Sequence, residues 1–169
     1  RVARDVAARS GFDLVGVMFY DAQIAGLPDS SPAVRMIKKR SAAELLRRRS
    51  AVVDAVSQHT TLEIVNAGGT GSLEVTGADP AITELTAGSG LFAPRLFDGY
   101  DAFTPRPAAF YALPVVRRPT RDVATLYSGG YIASGPTGDS RAPEPAWPEG
   151  LSLVGTEGAG EVQTPVKGR

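Results

Sequence analysis

Three apolar runs, residues 12–20 (FDLVGVMFY), 62–66 (LEIVN) and 82–86 (ITELT), each stop in a loop of small or polar residues. Each is too short for an ordinary helix and rich in β-branched or aromatic residues, so each is predicted to be a strand. The first has almost no polar position and is expected to be buried on both faces. Between the first two runs, Ser31 stands before Pro32, a helix start signal, and Val34, Ile37, Leu45, Val52 and Val56 recur near helical spacing as far as Thr60 and Thr61. That predicts a long surface helix. A short helical turn ending at GADP lies between the second and third runs, and the opening RVARDVAARSG reads as the tail of an amphipathic helix closed by Gly11. Strands that alternate with helices form a parallel sheet, and ligands gather at the C-terminal ends of its strands.

The texture changes near Gly90. Ten of the 13 prolines lie from Pro94 onward, and helical periodicity stops. AAFYALPVVRR, DVATLY, GYIAS and LSLVG are short, β-branched or aromatic and separated by Gly and Pro, which predicts a compact antiparallel β region. The acidic, proline-rich segment 139–150 reads as a surface loop, and PVKGR as a C-terminal tail carrying Lys167. With 169 residues, 43% of them hydrophobic, the chain has material for the core of about one domain, or one and a half small ones. Its first residue is Arg1, already inside a helical pattern, so it is expected to be a piece of a longer protein.

Charge and composition narrow the partners. Eighteen basic residues balance 18 acidic ones, so no net field draws the chain to nucleic acid or to an anionic membrane. No run approaches the roughly 20 apolar residues of a membrane helix. The absence of cysteine excludes disulfide scaffolds, thiol catalysis and thiolate metal sites, and a cytoplasmic location is expected.

The loop after the second run, VNAGGTGSLE, brings three glycines, Thr70 and Ser72 together, and the loop after the third holds Gly88, Ser89 and Gly90. A strand that runs into glycines leaves main-chain N–H groups unscreened, and hydroxyls at Thr70, Ser72 and Ser89 add donors, so the pair is a candidate site for one phosphate. The structural alternative is that Gly68, Gly69 and Gly71 only permit a tight turn with positive φ. Neither loop is GxxxxGK[ST] or GxGxxG, which disfavours a nucleotide or dinucleotide. On the long helix, Arg35, Lys38, Lys39, Arg40, Arg47, Arg48 and Arg49 read as a solvated basic face, and His59 as a partner of the helix C-terminus.

VGVMFYDAQIAG, VNAGGTGSLE, ELTAGSGLF and EGAGEVQTP, in this order, resemble the pyridoxal-phosphate enzymes of the alanine racemase fold type. Within it they are most similar to the D-threonine aldolase and D-serine dehydratase branch, including bacterial amino acid deaminase/aldolases. The resemblance implies an α/β fold: residues 1–103 as the last strands of a pyridoxal-phosphate-binding (β/α)8 barrel and 104–169 as the beginning of a C-terminal β domain. It implies a lyase for D-3-hydroxy amino acids such as D-threonine or D-serine, working by aldol cleavage or by dehydration and deamination, and a homodimer in its full-length form. Gly69, Thr70 and Gly71, with Gly88, Ser89 and Gly90, correspond to the loops that hold the cofactor phosphate. Tyr20 and Gln23 match strand-end positions near the cofactor ring, although aldolase-like relatives carry His where Gln23 stands. Thr86 occupies the place from which relatives address the pyridine nitrogen with Arg or Glu; a neutral hydroxyl favours an unprotonated ring. Tyr131, Glu157 and Glu161 match segments near the active site or the dimer contact, or else are ordinary turn and packing residues.

No catalytic residue and no metal ligand is expected within this chain. In such relatives the cofactor-binding lysine lies upstream, and the ligands of a divalent metal lie downstream. Lys38, Lys39 and Lys167 read as structural or solvent-exposed, so the chain alone is expected to be inactive. An amino acid racemase of the same fold, a noncatalytic pyridoxal-phosphate-binding protein and a phosphate-binding half-barrel for sugar or nucleotide phosphates are the other readings.

Overall fold

The computed structural model describes residues 1–132 and 136–168. The chain divides into two compact units, Arg1–Leu91 with Phe97–Pro105, and Phe92–Leu96 with Arg106–Arg169. No helix among the described residues is long and apolar enough to cross a membrane.

The first unit is mixed α/β. Helix α1 (Val2–Ala7) leads to strand β1 (Gly16–Met18), the short helix α2 (Ala22–Ala25), the long helix α3 (Pro32–Ser57), strand β2 (Ile64–Gly68), helix α4 (Leu73–Gly77) and strand β3 (Glu84–Thr86). The strands form a three-stranded parallel sheet in the order β1-β2-β3, in register Met18 to Asn66 to Glu84 and Gly68 to Thr86. The first turn of α3 is set as the sequence implies: Ser31 has extended backbone, its Oγ accepts from the Val34 N–H at 3.3 Å, and Pro32 opens the helix.

The first run is not buried on both faces. Only its three residues Gly16–Met18 are strand, and Phe12, Val15 and Met18 are exposed, because β1 is an edge strand and its Met18 face has no layer packed on it within this unit. Successive side chains alternate across the sheet. Val65 and Ala67 point to the helical side and are buried, and Leu85 approaches Gly77 of α4, whereas Met18, Asn66, Glu84 and Thr86 share the opposite face. The core is Ile24, Ala25, Val65 and Ala67 with Phe97 and Tyr100. The rings of Phe97, Tyr100 and Phe103 meet at 5.1 to 6.1 Å, and the Tyr100 hydroxyl donates to the Ala25 carbonyl at 3.0 Å.

Along α3 the buried and half-buried positions are Val34, Lys38, Ser41, Ala42, Glu44, Leu45, Arg49, Val53 and Val56. The inward stripe is therefore rotated from the expected one, and Ile37 and Val52 lie outside it. Two residues assigned to the solvated basic face belong to it. Lys38 Nζ donates to Asp29 Oδ1 at 2.7 Å and lies 4.6 Å from the Tyr100 ring centre. Arg49 is buried, and its guanidinium is held between two carboxylates.

The second unit is an antiparallel sheet. Strands β4 (Val115–Thr120), β5 (Val123–Tyr127), β6 (Ser152–Leu153) and β7 (Gln163–Lys167) are ordered β4-β5-β7-β6. The supposed PVKGR tail is thus largely an interior strand. Its Pro165 pairs with Thr125 and takes the Val154 N–H on its carbonyl at 3.1 Å, so the missing proline donor is tolerated where β6 has already ended. The expected GYIAS strand is absent over Gly130, Tyr131 and Ile132, and its Ala133 and Ser134 lie outside the described residues. Thr164 anchors the turn instead, donating to the Ser128 carbonyl at 2.6 Å and accepting from Gly160 N–H at 3.2 Å. Segment 139–150 has no regular structure, and Arg95 pairs with Glu144 within it.

Candidate functional site

The C-terminal ends of the three parallel strands carry most of the residues singled out from the sequence. β1 is followed by Tyr20, β2 by Gly69, Thr70 and Gly71, and β3 ends in Thr86 and runs on to Gly88, Ser89 and Gly90. The two small-residue loops meet through their hydroxyls, with Thr70 Oγ1 and Ser89 Oγ 3.0 Å apart. A Cβ added at Gly90 would lie 3.4 Å from Thr70 Cγ2. The Tyr20 ring closes the other side, with Cε2 3.2 Å from the position of a Gly69 Cβ. Gln23 sits on α2, exposed, with no hydrogen bond to this group among the described residues.

The glycines here serve close packing more than backbone freedom. Only Gly68 has a strongly left-handed φ, +134°. A side chain at Gly69 would overlap Ala25 Cβ, and one at Gly71 would overlap the Ala25 carbonyl and the Tyr100 ring. α2 and Tyr100 therefore support the phosphate-loop candidate from below, at contacts where only glycine fits.

Ser72 corrects the expected donor set. It is buried, and its hydroxyl lies 3.1 Å from Asp21 Oδ2 and 3.2 Å from the Gly69 carbonyl, so it serves the protein interior and leaves the pair of exposed Ser89 with Thr70, itself buried, as the remaining hydroxyls of the loops. Asp21 is the hub of a network that the sequence reading missed. Its Oδ1 accepts from Arg49 at 2.9 Å, and its Oδ2 accepts from Ser72 and from Thr76. Arg49 also donates to Asp79 Oδ2 at 2.6 Å, and Asp79 Oδ1 caps Ala81 N–H at 3.0 Å. One buried cation thus ties the chain after β1, the loop after β2, and the turn before β3 to α3. The signal was present: Arg49 stands four residues after Leu45 and four before Val53, on the apolar stripe.

A second group lies on the open face of the sheet. The Asn66 side-chain N–H2 donates to Glu84 Oε1 and to Thr86 Oγ1, both at 2.6 Å, while Asn66 Oδ1 is buried without a partner among the described residues. Glu84 and Asn66 were not singled out from the sequence, although the alternation of the strands puts them beside Thr86.

The remaining candidates are elsewhere. Lys38 is engaged with Asp29, Lys39 is exposed on α3, and Lys167 is exposed on β7. His59 follows α3 with its N–H on the Val56 carbonyl. In the second unit Tyr131, Glu157 and Glu161 are exposed, and Tyr131 meets Tyr111 edge-on at 6.4 Å. Among the described residues no three His, Cys, Asp or Glu side chains are grouped as a metal site.

With this geometry the chain superposes on a solved protein, D-threonine aldolase from Filomicrobium marinum, over 99% of its own length with a TM-score of 0.71 and 21% sequence identity. The two share a fold. The match takes in 43% of the aldolase chain, so the present sequence spans less than half the length of that protein. The likeness is one of fold, and it agrees with the fold type that the glycine-rich motifs resemble. No family model and no curated protein matches the chain.

Proposed function

We propose that this chain is part of a pyridoxal-phosphate-dependent lyase for D-amino acids and that its share of the work is to hold the cofactor. The observation that carries the reading is the Thr70–Ser89 hydroxyl pair, which joins two glycine loops at the ends of adjacent parallel strands, in a fold shared with a D-threonine aldolase. The residues fit the group. The Thr70 and Ser89 hydroxyls and the main-chain N–H groups of Gly69, Gly71 and Gly88 are the donors for a phosphate, Gly90 leaves room beside Thr70, and Tyr20 and Thr86 stand on the same rim for a flat ring. Gln23, exposed on α2, makes no hydrogen bond to them among the described residues. When bound, the cofactor supplies the electron sink for breaking a bond at the Cα or Cβ of the substrate.

The chain's own residues orient the group and leave the covalent chemistry to residues of a complete enzyme. None of Lys38, Lys39 and Lys167 stands at a strand end of the parallel sheet. In this reading residues 1–103 are the last strands of a barrel and 104–169 the start of a β domain. The complete protein is a homodimer that cleaves, or dehydrates and deaminates, a D-3-hydroxy amino acid with a divalent metal bound by residues outside this chain.

The test is a competition titration of this chain with pyridoxine 5′-phosphate, inorganic phosphate and ribose 5-phosphate. The expected order puts pyridoxine 5′-phosphate first. Equal binding of ribose 5-phosphate replaces the reading with a general phosphate site, and no binding at all removes it. Turnover of D-threonine or D-serine by the chain alone would contradict the assignment of the lysine to another part of the enzyme.

A further inference from the structure

We propose that Glu84 and Asn66 set the hydrogen-bonding polarity of Thr86, so that Thr86 donates to a ring nitrogen acting as an acceptor, with Glu84 a positioning residue that never touches the ligand. The inference rests on the cofactor reading above and specifies the ring contact within it. Glu84, Asn66 and Thr86 lie on one face of the parallel sheet, and Thr86 shares the strand-end rim with the Thr70–Ser89 pair. In this proposal a ligand anchored by its phosphate at that pair reaches Thr86 with its ring.

The polarity follows from the partners. A carboxylate oxygen only accepts, so the Asn66 atom at 2.6 Å from Glu84 Oε1 is the amide nitrogen, and this fixes which way the amide lies. The second hydrogen of that nitrogen is directed to Thr86 Oγ1, also at 2.6 Å. Thr86 accepts from Asn66, so its own proton is not used in that bond. A hydroxyl so held is a donor for an aromatic nitrogen with a free lone pair. The arrangement leaves Asn66 Oδ1 buried without a partner among the described residues; with the amide turned over, its oxygen would face Thr86 Oγ1 and make Thr86 the donor to Asn66. Glu84 is the group that prevents it.

The test compares pyridoxine 5′-phosphate with its 1-deaza analogue, in which a C–H replaces the ring nitrogen, by calorimetry on the parent chain and on three variants. The parent is expected to prefer the nitrogen-containing probe by about tenfold, the effect of roughly one hydrogen bond. Thr86→Val is expected to abolish the preference. Glu84→Ala and Glu84→Gln are both expected to lower it several-fold although residue 84 makes no contact with the probe, since an amide donates as well as accepts and no longer fixes Asn66. The 15N shift of labelled pyridoxine 5′-phosphate bound to the parent should be that of an unprotonated, hydrogen-bonded ring nitrogen. Equal binding of both probes by the parent, or an unchanged preference in Glu84→Ala, overturns this inference while leaving the phosphate site standing. Failure of both probes to bind better than inorganic phosphate overturns the cofactor reading and this inference together.

Discussion

Arg49 holds the first unit together at a point where water is excluded. With one guanidinium between the buried carboxylates of Asp21 and Asp79, replacement by a neutral side chain strands two charges, which typically costs about 3–5 kcal/mol. Arg49→Met is therefore expected to lower the urea midpoint sharply, whereas Arg48→Met, whose pair with Glu44 is exposed, should leave it nearly unchanged. Gly71→Ala places a methyl against Tyr100 and the Ala25 carbonyl and is expected to destabilise by about 1–3 kcal/mol, as overpacking does. The sequence made the loop visible but not the reason for its glycines: a row of small residues does not say whether a ligand or a tyrosine occupies the space above it. Asp29 gives a pH signature. Burial pushes its carboxyl up, but hydrogen bonds from Lys38 and the Asp101 N–H, with the charges of Lys38 and Arg35, outweigh burial and hold it below the ordinary 3.8. A carboxyl lowered in the folded state stabilises above 3.8 and loses that contribution as pH falls through its folded value. The stability difference between the parent and Asp29→Asn, followed by thermal unfolding in an acid series, should thus narrow only below 3.8.

Helix α3 and the strands of the parallel sheet follow from local signals. Ser31 and Pro32 placed the helix start correctly, and Ser31→Ala is expected to cost about 1 kcal/mol in equilibrium urea unfolding through loss of the bond to Val34 N–H. The helix's inward face was harder to read, because Ile37 and Val52 look apolar but face out, while Lys38 and Arg49 face in with partners far along the chain. Burial of a charge depends on a carboxylate that periodicity cannot see. β7 was missed for a related reason. Pro165 argues against a strand, and only the neighbour β6, which ends before it, makes room for a residue without an N–H.

At the level of the whole molecule, several large apolar side chains on or beside the sheets are exposed, and contiguous exposed apolar surface favours association. In the first unit Met18 is 76% and Tyr20 66% exposed, with Ile64 and Leu85 also accessible. In the second, Val115 and Val116 lie exposed on the edge strand β4. The chain is expected to self-associate in sedimentation velocity as concentration rises, and a sharp monomer boundary throughout would contradict that. The measurement that bears hardest on the proposed role is a calorimetric titration of pyridoxine 5′-phosphate into the parent chain and into Thr70→Val/Ser89→Ala, with circular dichroism confirming that both are folded. If the two hydroxyls hold the phosphate, the double variant binds at least about tenfold more weakly, since a hydrogen bond to a charged group contributes roughly 1.5–3 kcal/mol. Equal affinity in the folded variant would place the phosphate elsewhere and contradict the site.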